Sequence, residues 1–325
     1  MRHFIFPLLA AVIGLSLATY WAGIEGLITA LLLIALEIGF SFDNAVVNAT
    51  VLQHMDKKWQ QRFLTWGMLI CVFGMYYLFP LLIVSLASGM PIYEAAQLAF
   101  TNQQAYGEHI TAAHPAISAF GGMFLLMVFL RFVCDEAKTI HWIGPLEQKL
   151  AQLGRLESIE VALALVLLLA LHALLPEMQQ ASILVAGVSG IALYLVVHAA
   201  CTWLAAPGAA ALTGMAAFIY LQVLDASFSL DAVIGAFALS TDLVLILIGL
   251  TIGAFFVRAL TLHLVQHGTL NRYIYLEHGA YYAIGALALI MLAQTRVHVP
   301  EAVTGLIGLG LIGLAFISSL RRRKS

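Results

Sequence analysis

The chain has 325 residues, 62% of them apolar and only 10% charged, with 15 basic against 17 acidic side chains and a net charge of -2. Soluble domains carry about 25% charged residues, so this composition excludes a soluble domain and leaves a polytopic membrane protein with no nucleic-acid partner. Three cysteines, Cys71, Cys134 and Cys201, fall in or beside apolar runs at unrelated spacings, which excludes a disulfide or zinc framework and leaves them as small buried hydrophobes.

A spanning helix takes about 20 mostly apolar residues. Ten segments qualify: 4–21, 24–53, 63–87, 115–135, 158–175, 181–204, 210–240, 242–265, 276–293 and 300–320. We read the first as an uncleaved helix rather than a signal peptide, because a repeat of five helices needs it. The second and seventh are long enough to tilt or bend, and each carries two acids. Residues 37–47 read EIGFSFDNAVV and residues 225–235 read DASFSLDAVIG. Glu37 matches Asp225, Phe40 matches Phe228, Ser41 matches Ser229 and Asp43 matches Asp231. A carboxylate at the centre of a lipid-embedded helix costs about 2.5–3.5 kcal/mol, so intramembrane acids mark function by default. Both pairs sit near the middle of their spans, in the second helix of each group of five. Five is odd, so the second half crosses the membrane in the opposite sense, the inverted-repeat plan of many secondary transporters. The expected fold is all-α, with residues 1–175 as the first repeat (acidic motif 37–44) and 181–325 as the second (acidic motif 225–231 and a basic tail).

Glu37 and Asp43 are six residues apart, about 240° around a regular helix, and do not share a face. Glu37, Ser41, Asn44 and Asn48 do, as a polar stripe suited to lining a cavity. Asp43 joins it only where the helix unwinds near Gly39–Ser41, and the second copy has the same gap. Helices two and seven are therefore expected to be irregular at about 38–42 and 226–230, as in transporters that build ion sites from broken helices. The oxygens on offer, carboxylate, amide and hydroxyl (Ser41, Ser229), suit Mg²⁺, Ca²⁺ or Mn²⁺ and not Cu(I). Four carboxylates around one divalent ion leave two negative charges in excess, so protons can take the metal's place. The bland alternative is hydrogen-bonding glue between helices, which does not account for a duplicated pair at matched depth.

Other residues weigh less. Asp135, Glu136 and Lys138 end the fourth span, as an interfacial belt or as a gate. Arg258, two turns inside the eighth span, either snorkels or pairs with a motif acid. His263 and His267 have chelating spacing but sit at a helix end. The 88–114 stretch reads as an outer loop and holds no Lys or Arg. Lys57, Lys58 and Arg62, then Lys138, Lys149 and Arg155, then Arg272 and the Arg-rich tail at 321–324 all fall on the opposite side, and the one basic residue on the outer side is Arg296. The positive-inside rule then puts both termini in the cytoplasm, in a membrane of the bacterial inner-membrane type. No HExxH, GxSxG or P-loop pattern occurs, so neither an enzyme nor an ATP-driven pump is expected.

At EIGFSFDNA (37–45) and LDASFSLDAV (224–233) the chain resembles the TerC family of integral membrane proteins, which includes Alx-type manganese exporters and lies in a lysine-exporter-like superfamily. The stretches FLRFVCDEAKTIHW (129–142) and YLEHGAYYAIGAL (275–287) resemble an uncharacterised, domain-of-unknown-function branch of it. The resemblance implies a metal exporter, chiefly for Mn²⁺, with Glu37, Asp43, Asp225 and Asp231 as ligands and Asn44 beside them. Ala232 stands where the first motif has Asn44, so the half-sites are not equivalent. It also implies the alternatives: a tellurite-type stress-resistance factor, or a membrane assembly factor that moves no metal. The expected function is export of a divalent cation, Mn²⁺ first, against protons, with no prosthetic group and the ion as substrate.

Overall fold

A computed structural model describes residues 2–156, 158–204, 214–268, 272–297 and 299–324, and it is helical, with no strand among the described residues. Among the described residues, eight helices are long and apolar enough to cross a membrane: Ile5–Gly39, Lys57–Leu86, Gln103–Val133, Gln179–Leu204, Gly214–Phe237, Leu243–Gln266, Leu276–Gln294 and Val303–Arg322. The fifth expected span is the shorter helix Ile159–Leu174. The start of the seventh, 210–213, lies outside the described residues.

The chain divides into two compact units, one of Met1–His114 with Leu204–His267, the other of Pro115–Trp203 with Gly268–Ser325. Each takes helices from both halves of the sequence.

In the first unit, α1 (Ile5–Phe40) leaves helical geometry at Ala22 (φ −134°, ψ 21°) and Gly23 (φ 66°, ψ −150°). A left-handed φ favours glycine. The chain reverses there. A Cβ on Gly26 would lie 2.5 Å from the carbonyl oxygen of Ala18, eight residues back, a separation of about 12 Å along a straight helix. Contacts with α11 (Leu243–Gln266) fix both directions. The first leg runs antiparallel to it, with His3 at Gln266, Phe6 at Phe255 and Trp21 at Asp242. The second leg runs parallel, with Leu33 at Gly249 and Glu37 at Gly253. Those two glycines form a GxxxG stripe, the small-residue surface that lets membrane helices approach closely. The two spans expected at 4–21 and 24–53 are thus the two legs of a hairpin.

After α2 (Phe42–Leu52), α3 (Lys57–Leu69) opens on Asp56, whose carboxylate accepts the Trp59 N–H at 2.9 Å. It continues through a π-helical segment, Ile70–Leu78, into α4 (Phe79–Ser88). Pro80 supplies no N–H and its ring crowds the carbonyl four residues back, a recurrent cause of slipped helical ladders. The expected outer loop at 88–114 is instead helical: α5 (Ile92–Thr101) and the start of α6 (Gln103–Val133). α10 (Gly214–Leu239) runs antiparallel to α2, with Asn44 and Asn48 at Asp225 while Leu52 shares an apolar cluster with Ala217 and Leu221.

The second unit holds the rest of α6, α7 (Pro145–Leu153), α8 (Ile159–Leu174), most of α9 (Glu177–Leu204), α12 (Leu276–Gln294) and α13 (Glu301–Lys324). Glycine again sets the approach. A Cβ on Gly190 would lie 2.2 Å from the Phe120 carbonyl, and one on Gly279 2.5 Å from Ala315 Cβ. α12 and α13 are antiparallel, as Tyr275 meets Ser319 while Gly279 meets Ala315.

Candidate intramembrane site

Both acidic motifs contribute to one buried centre in the first unit. The first motif does break its helix: α1 ends at Phe40, Ser41 has φ −93° and ψ 14°, and α2 begins at Phe42. The second does not. α10 passes through 226–230 as continuous α-helix, so the irregularity expected there is absent. Its serines bond back along the helix instead, Ser227 to the Val223 carbonyl and Ser229 to the Asp225 carbonyl at 2.8 Å. Each hydroxyl thus finds its acceptor within the helix rather than on a neighbouring one.

Glu37, Ser41, Asp43, Asn44, Asn48, Asp225 and Ser229 are all buried. Ser41 Oγ and Tyr76 OH both donate to Glu37 Oε1, at 2.9 and 3.0 Å. Asn44 and Asn48 each donate from Nδ2 to Asp225 Oδ1, at 3.1 and 3.3 Å. Arg258 NH2 donates to Asp225 Oδ2 at 2.5 Å, while its NH1 donates to the Phe63 carbonyl at 2.8 Å and its guanidinium lies 4.2 Å over the Phe63 ring. Arg258 is buried and pairs with a motif acid; it does not snorkel. Gly67 makes room for it, since a Cβ there would lie 2.8 Å from Arg258 NH1 and 2.7 Å from Gln222 Nε2.

The stripe Glu37, Ser41, Asn44, Asn48 therefore acts as one polar surface, as its spacing predicts. Asp43 stands apart from it: its Oδ1 accepts the Asn44 N–H at 2.9 Å, and among the described residues no hydrogen bond joins it to the other motif acids. The side chain of Asp231 lies outside the described residues. Glu37 Oε2, Asn44 Oδ1 and Asn48 Oδ1 are buried acceptors with no hydrogen-bond partner. Buried polar groups are nearly always satisfied, so three idle oxygens beside two carboxylates form a surface short of positive charge or donors. Their chemistry fits a hard cation. Among the described residues, however, no three His, Cys, Asp or Glu side chains converge as a finished metal shell.

Tyr76 was not apparent as a site residue. It faces Glu37 from the π-helical segment, and such segments recur at functional sites. Cys71, on the same segment, is buried.

Asp135 and Glu136 belong to the second unit. Asp135 accepts the Ala137 N–H, and Glu136 lies 3.5 Å from Arg155 on an exposed surface. Beside them is a fully buried carboxylate that sequence reading passed over. Glu147 accepts from Lys138 Nζ at 2.6 Å and from the Trp142 N–H at 2.6 Å, with His278 Nε2 3.6 Å away. Burial alone would raise the Glu147 pKa. The bond and charge of Lys138, the charge of His278 and the Trp142 N–H outweigh it and hold the carboxyl below its ordinary range. The His263 and His267 rings lie 4.0 Å apart at a tilt of 34°, with His267 Nδ1 2.9 Å from the His263 carbonyl.

Fold and site together define a polytopic helical membrane protein with a buried acid–amide–guanidinium centre. Its sequence matches, over residues 42–325, the family described as protein of unknown function DUF475, and the chain belongs to that family. No curated protein and no solved structure matches it.

Proposed function

We propose that the protein is a secondary transporter that exports a divalent cation, Mn²⁺ first, in exchange for protons. The observation that carries the reading is the bond from Asn44 and Asn48 of the first motif to Asp225 of the second, beside idle oxygens of Glu37, Asn44 and Asn48. The ion would be held by Glu37, Asp43 and Asp225 with Asn44, and by Asp231. The resemblance of the motifs to TerC proteins supports the metal and the direction of export.

A five-plus-five inverted repeat, ten crossings in all, belongs to the same proposal. Three features support it. The motif-bearing helices α2 and α10 are antiparallel. Gly67 and Gly249 each hold a neighbouring helix close, at Gln222 and at Leu33. Nine residues after each glycine stands the residue that bonds its own half's acid: Tyr76 to Glu37, and Arg258 to Asp225. The basic residues support a bacterial inner membrane with both termini cytoplasmic.

One observation favours a second reading, a membrane assembly or tellurite-type resistance factor that moves no metal. Asp225 is already neutralised by Arg258, as in a structural ion pair. Mn²⁺ flux in proteoliposomes containing a pH dye separates the two. Transport predicts wild-type flux with proton counter-movement, abolished by Asp43→Asn or Asp231→Asn and impaired by Glu37→Gln or Asp225→Asn. Flux that survives all four substitutions would leave the carboxylates as interhelical glue.

A further inference from the structure

We propose that Arg258 is a tethered stand-in for the transported cation: it occupies Asp225 when no metal is bound, yields to the metal, and returns so that the metal-free, proton-loaded carrier can reorient. The inference rests on the transport reading above.

Both oxygens of the Asp225 carboxylate are engaged, Oδ1 by two amides and Oδ2 by the guanidinium. A divalent ion that takes the place of the guanidinium on Oδ2 must exchange with Arg258. The guanidinium has somewhere to go. Its second nitrogen already holds the Phe63 carbonyl, and its plane lies over the Phe63 ring. Both are contacts that a displaced arginine can keep. The amides of Asn44 and Asn48 still present unpartnered oxygens beside the same carboxylate, which a metal that replaces the guanidinium can add to its ligand set. The electrostatic need is general. A buried carboxylate stripped of its counter-charge is costly, so an exchanger that has released its metal must neutralise each acid before the site moves, by the incoming protons or, at Asp225, by a charge of its own. Here that charge is built into α11, two helical turns from its end. The first motif has a neutral donor, Tyr76, in the corresponding place, so among the described residues the cation of the centre belongs to the Asp225 side.

The test compares two modes of flux in proteoliposomes. Exchange of radioactive for unlabelled Mn²⁺ uses the metal-loaded carrier alone, while net Mn²⁺ movement also needs the metal-free, proton-loaded carrier to return. In Arg258→Gln, exchange should persist while net flux falls about tenfold or more, and the apparent Mn²⁺ dissociation constant should fall by about tenfold if Arg258 holds the site in nine of ten molecules. Arg258→Lys should restore net flux in part. Gly67→Ala, whose methyl would press on Arg258 NH1, should give a milder form of the same split and serves if Arg258→Gln does not fold. In the wild type, the side-chain NMR signal of Arg258 should move on titration with diamagnetic Cd²⁺. Exchange and net flux falling together in folded variants, neither changing, or an arginine signal blind to metal would each overturn the inference. Absence of both modes in the wild type would instead overturn the transport reading itself.

Discussion

Glu147→Gln removes one charge from a side chain with no exposure while keeping its shape. The Lys138 ammonium, 9% exposed and 2.6 Å away, is left without its anion. Removing one partner of a buried pair costs about 3–5 kcal/mol, whereas replacing both by apolar groups is often neutral or stabilising. The expected loss for Glu147→Gln is at the lower end, because the Gln amide oxygen can still accept the Trp142 N–H that now reaches Glu147 Oε2. Glu147→Gln with Lys138→Met should recover most of that loss. The Glu147 pKa is held below its ordinary value of 4.5. A depressed carboxyl stabilises the fold above its unfolded pKa and stops doing so as pH falls through the folded value. Wild-type stability should therefore drop below about pH 4.5 more steeply than that of Glu147→Gln. Chemical unfolding in detergent micelles across pH 3–7 reads both effects. A single variant as stable as wild type, a double variant no better than the single, or parallel acid limbs would refute the assignment of Glu147 and Lys138 as a stabilising buried pair.

Tyr76→Phe removes one of two donors to Glu37 and should cost about 1 kcal/mol in thermal unfolding. Tyr106→Phe, which removes a buried hydroxyl with no hydrogen-bond partner, should be neutral or slightly stabilising in the same assay. Gly249→Ala and Gly253→Ala place a methyl 2.3 Å from Leu33 Cβ and 2.5 Å from Glu37 Cβ and Cγ. Each should destabilise by about 1–3 kcal/mol, and only Gly253→Ala should also alter the concentration dependence of Mn²⁺ flux.

Much of this arrangement was legible in the sequence for identifiable reasons. Hydropathy and length locate helices well because the bilayer demands internally bonded backbone. The split between the apolar runs 4–21 and 24–53 marks the reversal in α1, and the six-residue gap between Glu37 and Asp43 marks the break at Ser41. The same gap misled in α10, where the helix is unbroken and Ser227 and Ser229 bond back to the turn before them. Residues 88–114 read as a loop because they are polar enough to lack a full apolar run, yet α5 packs Ala95 and Ala99 into the core. Pattern alone cannot tell such a short packed helix from a connection. Tyr76 is invisible to periodicity because a π-helical segment turns side chains away from the 3.6-residue count. Glu147 was missed because a carboxylate in a charged loop is solvated by default, and only the folded chain brings Lys138, Trp142 and His278 around it.

The charges in the first unit limit what the centre can hold. Its described side chains are three carboxylates, Glu37, Asp43 and Asp225, against one guanidinium, Arg258, all buried. With Asp231 as the proposed fourth acid, four ionised carboxylates against Arg258 leave three negative charges, which one divalent cation and one proton cancel. The balance depends on Arg258 staying nearby after it gives up Asp225. Were it to leave the centre, the same metal and proton would leave one charge uncompensated, in a medium where that is costly. The Phe63 carbonyl and ring hold the guanidinium beside the site in either position. Arg258 can therefore serve both as the ion's competitor and as part of its charge balance. The Tyr76 hydroxyl at the matching place in the first half can do neither.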